Sequence, residues 1–154
     1  KAKLLGAYTS AEKSTNALGQ REDGQGYIRA IDGAVEMANI SSNDIHVIKT
    51  HGTGTKSNNL SERAALTEVF GNKQFVATSF KQRIGHTMGA SGLLETCLLI
   101  DSMRDGLVPA ILNRTTEDPR YLSVGAEVSG ETNILSLAAG MGNIYSAAIF
   151  KTTV

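Results

Sequence analysis

The sequence predicts an α/β fold, a mixed five-stranded sheet with helices in the order βαβαβαββ. Three observations carry that expectation. Short apolar runs alternate with longer segments whose apolar residues recur at helical spacing. Gly, Asn, Ser and Pro punctuate the junctions. The last two strand-like runs, 132–139 and 143–152, are separated by Gly140-Met141-Gly142, a connection short enough for a hairpin. Strands joined through helices are expected to be parallel, and the terminal pair antiparallel.

Taken in order, residues 2–9 (A-K-L-L-G-A-Y-T) read as the first strand and 10–26, polar with three glycines, as a loop. From about Tyr27, the residues Ile28, Ile31, Val35 and Ala38 recur at helical spacing, and Asn39 can close that helix. Ser41-Ser42-Asn43-Asp44 is a turn, and 45–50 a short apolar strand that runs into His51. Ser57 or Asn58 is expected to cap a helix carrying Leu60, Ala64, Ala65, Val69 and Phe70, with Gly71 ending it. Residues 75–79 form another short strand, ending near Lys81. The segment 88–103 is the most apolar helix: Leu93, Leu94, Cys97, Leu98 and Ile100 leave little polar surface, which predicts burial. Its small start, Gly89-Ala90-Ser91-Gly92, allows another backbone close approach. Gly106 and Pro109 terminate it, and 112–130, with Pro119 inside, reads mostly as loop.

Composition bounds what the chain can be. A length of 154 residues fits one domain or one half of a two-lobed protein, and 41% apolar residues suffice for a packed core. Lys plus Arg equal Asp plus Glu at 15 each, so no net field draws the chain to nucleic acid or an anionic membrane. No apolar run approaches the ~18 residues of a spanning helix, and no signal-peptide pattern opens the chain. A single cysteine, Cys97, leaves no internal disulfide and fits a reducing, cytoplasmic compartment. The chain starts at Lys1 rather than Met, as expected of a fragment or processed protein.

Several patterns look chemical and are not. Gly54-Thr55-Lys56-Ser57 lies between strand and helix like a phosphate-binding loop, but threonine stands at 50 and 55, where that loop requires glycine. Gly140-Met141-Gly142 lies between strands and lacks the third glycine of a dinucleotide fingerprint, so it is a turn. Cys97, mid-helix among leucines, reads as a small buried hydrophobe, and His46, in a strand without metal-ligand spacing, as structural or exposed.

The stretch 48–92 is different. His51 sits in I-K-T-H-G-T-G-T and His86 in K-Q-R-I-G-H-T-M-G-A-S-G, with Lys81 five positions before the second. Each histidine follows a strand-like run and lies among Gly, Ser and Thr, where backbone can approach a ligand. A lone loop histidine is usually solvated or a local hydrogen-bond partner. Two in matching contexts admit a catalytic reading as well. No other His or Cys is placed to complete a metal site.

H-G-T-G-T at 51–55, L-S-E-R-A-A-L-T-E-V-F-G at 60–71 and S-F-K-Q-R-I-G-H-T-M-G-A-S-G at 79–92 together resemble the β-ketoacyl synthases, condensing enzymes of the thiolase superfamily. D-G-Q-G-Y-I-R-A-I at 23–31, M-R-D-G-L-V-P-A at 103–110 and the terminal hairpin follow the same pattern, so the resemblance covers nearly the whole chain. It implies a thiolase-like half: residues 1–154 as the C-terminal domain of such an enzyme, without the N-terminal half that carries the nucleophilic cysteine. The implied reaction is a decarboxylative Claisen condensation of acyl and malonyl thioesters in fatty acid or polyketide-type synthesis. The implied partners are an acyl carrier protein, the missing N-terminal half, and a second subunit in a homodimer or heterodimer. No free cofactor is implied, because the substrates ride on the carrier's phosphopantetheine.

Residue by residue, His51 and His86 match the family's active-site histidines, whose N–H groups stabilise an enolate as CO₂ leaves. Lys81 matches the lysine that orders the second histidine, and Glu62 the helix glutamate. Thr53 and Thr55 match residues that hydrogen-bond the phosphopantetheine arm. The sequence also departs from the family. Asn58-Asn59 replaces Gly-Asp, and Gln82-Arg83 follows Lys81 in place of a serine. Ala139-Gly140-Met141-Gly142 replaces a Phe-Gly-Phe-Gly run, so Met141 stands where the family has a gating phenylalanine. The acyl pocket and its gate are therefore expected to differ. Two other classes fit the resemblance: a non-catalytic partner subunit like a chain-length factor, and a carrier-protein-binding module.

Overall fold

The computed structural model describes residues 1–13, 19–114 and 116–153, so parts of the loops predicted over 10–26 and 112–130 lie outside the described residues. The β-branched and aliphatic runs form a five-stranded sheet in the order β1-β7-β6-β2-β3. Its strands are β1 (Ala2–Ala11), β2 (Ile45–Lys49), β3 (Val76–Thr78), β6 (Glu131–Gly140) and β7 (Ile144–Thr153). β2 is parallel to β3 and to β6, whereas β7 is antiparallel to both β6 and β1. The four strands other than β7 therefore share one direction, and the β6–β7 hairpin turns on Gly140-Met141-Gly142, as its sequence predicts.

Side-chain alternation gives the sheet two different faces. On one face, α1 (Gln25–Ala38) and α2 (Lys56–Phe70) cover Ile45, Ile48, Leu135, Leu137 and Ile149. The buried stripe of α1 is centred on Tyr27, Ala30, Ile31 and Ala34, offset slightly from the predicted Ile28–Val35 line. Asn39, at φ 51°, closes α1 in the left-handed conformation that asparagine tolerates. On the other face, α4 (Ser91–Arg104) packs Leu99 and Met103 against Val47 and Ile134. A short helix α3 (Lys81–Ile84) precedes α4. Among the described residues no helix is long and apolar enough to cross a membrane.

Three expectations are corrected. The cap of α2 is Thr55, whose hydroxyl accepts the Asn58 N–H at 3.4 Å. Asn58 instead turns inward, accepting from the Tyr27 hydroxyl at 2.7 Å. Cys97 is exposed, as are Leu93 and Leu94 at 69% and 40%; the side of α4 turned to the sheet is the one bearing Ser91, Glu95 and Thr96. The segment predicted as loop contributes β5 (Ala126–Glu127), which pairs with β4 (Leu107–Val108). Strands of two residues are too short to show a period.

Glycine sets how closely α1 lies on the sheet. A Cβ at Gly6 would stand 2.6 Å from both the Ala34 carbonyl oxygen and the Ala38 nitrogen, and one at Gly33 would collide with the Tyr8 ring. The Gly6→Ala substitution must therefore push helix and strand apart. It is expected to lower unfolding free energy by roughly 1–3 kcal/mol, read as a lower urea midpoint at unchanged slope.

Candidate active site

β2 delivers His51 two residues beyond its last residue, Lys49, and the intervening Thr50 is tied down first. The Thr50 N–H and hydroxyl both donate to the Thr78 carbonyl, at 2.9 and 3.0 Å. The chain then turns through Gly52 at φ 58°, where a Cβ would collide with the Ser79 hydroxyl, so only glycine fits. Glu62, reaching in from α2, accepts the N–H groups of His51 at 2.5 Å and Gly52 at 3.1 Å, and the Asn58 side-chain amide at 3.1 Å. Burial raises the pKa of this carboxyl group, and those three hydrogen bonds oppose the rise.

Lys81 reaches the loop from the opposite side. Its ammonium donates to the His51 carbonyl at 2.5 Å and to Glu95 Oε1 at 2.7 Å. The family resemblance gave Lys81 the task of ordering His86; its hydrogen bonds run instead to the His51 backbone and to Glu95. Glu95 also takes the Ser91 hydroxyl and, at 3.3 Å, the Lys49 ammonium. Burial works against its charge, but Lys49, Lys81 and Ser91 outweigh that and hold its pKa below the ordinary value.

His86 follows Gly85, which is at φ 75°, and its Nδ1 accepts the backbone N–H of Met88 at 3.1 Å. That contact leaves the proton of the uncharged ring on Nε2. The His51 and His86 rings stand edge to face, centroids 5.6 Å apart and planes at 79°. His51 is 4% exposed, and its Nδ1 has no hydrogen-bond partner among the described residues. Burial first, then the charges of Lys81 and Lys49, push its pKa down to about 3, so the ring is uncharged at neutral pH.

Both rings line a cleft of about 420 Å³ walled by Met88, Gly92, Ala138 and Met141. A smaller cleft of about 210 Å³ shares His51, His86 and Met141 and adds Thr53 and Thr55, whose hydroxyls lie 3.1 Å apart. All seven residues singled out in the sequence thus converge: His51, His86, Thr53, Thr55 and Met141 on the clefts, Glu62 and Lys81 behind them. Glu95 and Lys49 were missed. Their signal was a charge inside an apolar helix and another closing an apolar strand, places where an unpaired charge would be costly.

Two imidazoles thus line one cleft of a mixed α/β sheet, His51 just past the end of β2 and His86 facing it edge to face. The chain belongs to the β-ketoacyl synthase C-terminal domain family, whose model matches residues 1–115. It is 29% identical over 148 residues to the ketoacyl synthase alpha subunit of the tetracenomycin polyketide synthase of Streptomyces glaucescens, a match covering 92% of this chain and 35% of that protein. Among solved structures it resembles the ketosynthase ApeO in complex with its chain length factor ApeC from Xenorhabdus doucetiae. The TM-score is 0.86 and the identity 26%, over 99% of this chain and 39% of that one. It also resembles a type II polyketide assembly, AntDE:AntF, in which an acyl-carrier protein is in complex with its ketosynthase bound to the hexaketide. There the TM-score is 0.85 and the identity 25%, over 99% of this chain and 39% of that one. The chain spans about a third of the length of the curated relatives it matches.

The depressed His51 pKa has a thermodynamic consequence. Below the ordinary value near 6.5, the unfolded chain binds a proton at this position that the folded chain refuses. His51 therefore makes folding less favourable as pH falls from about 6.5 towards 3, by at most about 1.4 kcal/mol per pH unit. Urea unfolding at a series of pH values should show a shallower acid-side loss for His51→Gln than for the unaltered chain.

Proposed function

We propose that residues 1–154 are the C-terminal half of a 3-oxoacyl-[acyl-carrier-protein] synthase that performs the decarboxylative condensation of acyl and malonyl thioesters. The observation that carries this reading is the pair of imidazoles on one cleft, one buried and uncharged, the other with its tautomer set by the Met88 N–H. The acyl group waits on a cysteine supplied by the other half of the protein. The malonyl thioester enters with its carbonyl oxygen towards His51 and His86. As the bond between the α-carbon and the carboxylate breaks, CO₂ leaves and the electron pair passes into an enolate. Imidazole N–H donors stabilise the negative oxygen without transferring a proton. The enolate carbon then attacks the acyl thioester carbonyl, a carbon–carbon bond forms, and the cysteine thiolate departs.

In this reading Thr53 and Thr55 offer hydroxyls to the phosphopantetheine arm, Glu62 and Lys81 hold the His51 loop, and Met141 borders the acyl channel. A carrier protein brings both substrates, and the complete protein works as a dimer, with itself or with a chain-length-factor-like partner. Retention of both histidines together with Lys81 supports the catalytic subunit over the non-catalytic partner.

In the complete protein, His86→Ala should reduce malonyl decarboxylation by roughly 10²–10³ while leaving acylation of the nucleophilic cysteine nearly unchanged. Equal loss in both half-reactions would contradict the assignment. A flexible thioether adapts to irregular ligands where a ring would impose a shape. Met141→Phe should therefore alter the preferred acyl length more than the decarboxylation rate, as read by competition among acyl carriers of different length.

A further inference from the structure

Lys49 has no part in the mechanism above, yet it is one of the most buried side chains in the molecule, at 0% exposure. Its ammonium donates to the Leu137 carbonyl of β6 at 2.6 Å and to Glu95 Oε2 of α4 at 3.3 Å. The other Glu95 oxygen binds Lys81, and Lys81 binds the His51 carbonyl. An unbroken line of contacts thus runs from β6 through Lys49, Glu95 and Lys81 to the backbone of His51. Lys81 already neutralises Glu95, so a second buried ammonium is not needed for charge balance, and desolvating it is costly. Burial opposes its charge enough to bring its pKa down to about 8.

We propose that Lys49 is a positioning residue: it fixes Glu95 between β6 and α4, and thereby holds Lys81 on the His51 carbonyl with His51 facing the cleft. The charged groups around it come from each packed element: Glu95 from α4, Lys81 from α3 and Glu62 from α2. Two carboxylates, Glu95 and Glu62, and two ammoniums, Lys49 and Lys81, stand around the His51 loop, and each ammonium disfavours the imidazolium. The positional claim stands on geometry; its consequence for catalysis rests on the role of His51 in the proposed function.

The test follows the histidine ring signals by NMR across pH in Lys49→Met, with the signals assigned by single substitution and the exposed His46 as internal reference. The expected result is that His51 titrates at higher pH than in the unaltered protein while His46 does not move, and that Lys49→Arg restores part of the difference. An unchanged His51 titration in folded Lys49→Met overturns the proposal. Should Lys49→Met not fold, Lys49→Gln, which keeps a donor for the Leu137 carbonyl, is read in the same way, and an unchanged His51 titration in it overturns the proposal. In the complete protein, malonyl decarboxylation should fall about tenfold in Lys49→Met with cysteine acylation retained. A shifted His51 titration with undiminished decarboxylation would support the tether and count against the catalytic role of His51.

Discussion

His51 is held by both ends of its backbone. Its N–H donates to the buried Glu62 carboxylate, and its carbonyl accepts from the buried Lys81 ammonium. Charge-assisted hydrogen bonds such as these are the stronger kind. The loop needs such restraint because Gly52 and Gly54, both at positive φ, would otherwise leave it many conformations. The rest of the molecule supplies the two clamps. α2 carries Glu62 on the face that also buries Ala65 and Leu66, and α3 with α4 carry Lys81 and Glu95.

That requirement explains why α4 is inside out near its start. Ser91, Glu95 and Thr96 face the sheet, where Thr96 meets the Ser136 hydroxyl at 2.6 Å, and Leu93, Leu94 and Cys97 face outward. Only in the later turns does the usual pattern return, with Leu99 and Met103 in the core. Burying Glu95 costs free energy that its partners Lys49, Lys81 and Ser91 must offset, and breaking such a pair leaves a lone buried charge. The first turns of α4 thus serve the site, and the later turns serve the core.

Most of the architecture could be read from the amino-acid order because it rests on local pattern. The β6–β7 hairpin, the Asn39 and Gly71 helix ends and the parallel β2–β3 pair follow from periodicity and from turn residues. What escaped depends on distance. The β4–β5 pair is too short to show a period. Thr55 displaced the predicted cap because Asn58 is engaged by Tyr27, 31 positions earlier. The exposure of Cys97 and the burial of Glu95 are two sides of one fact, that Glu95 meets a lysine 46 positions away. The cleft-lining histidines were legible from their Gly and Thr surroundings and from the family pattern. The charges behind them were not, since strand and helix pattern record burial and not partnership.

In the proposed reaction an imidazole pair presents N–H groups to an oxygen gaining charge. Nitrogen-15 ring shifts of the histidines at pH 8 test this directly. The expected result is an uncharged His51, and at His86 a bare Nδ1 facing the Met88 N–H with the ring proton on Nε2. An imidazolium at His51, or a proton on Nδ1 of His86, would contradict it.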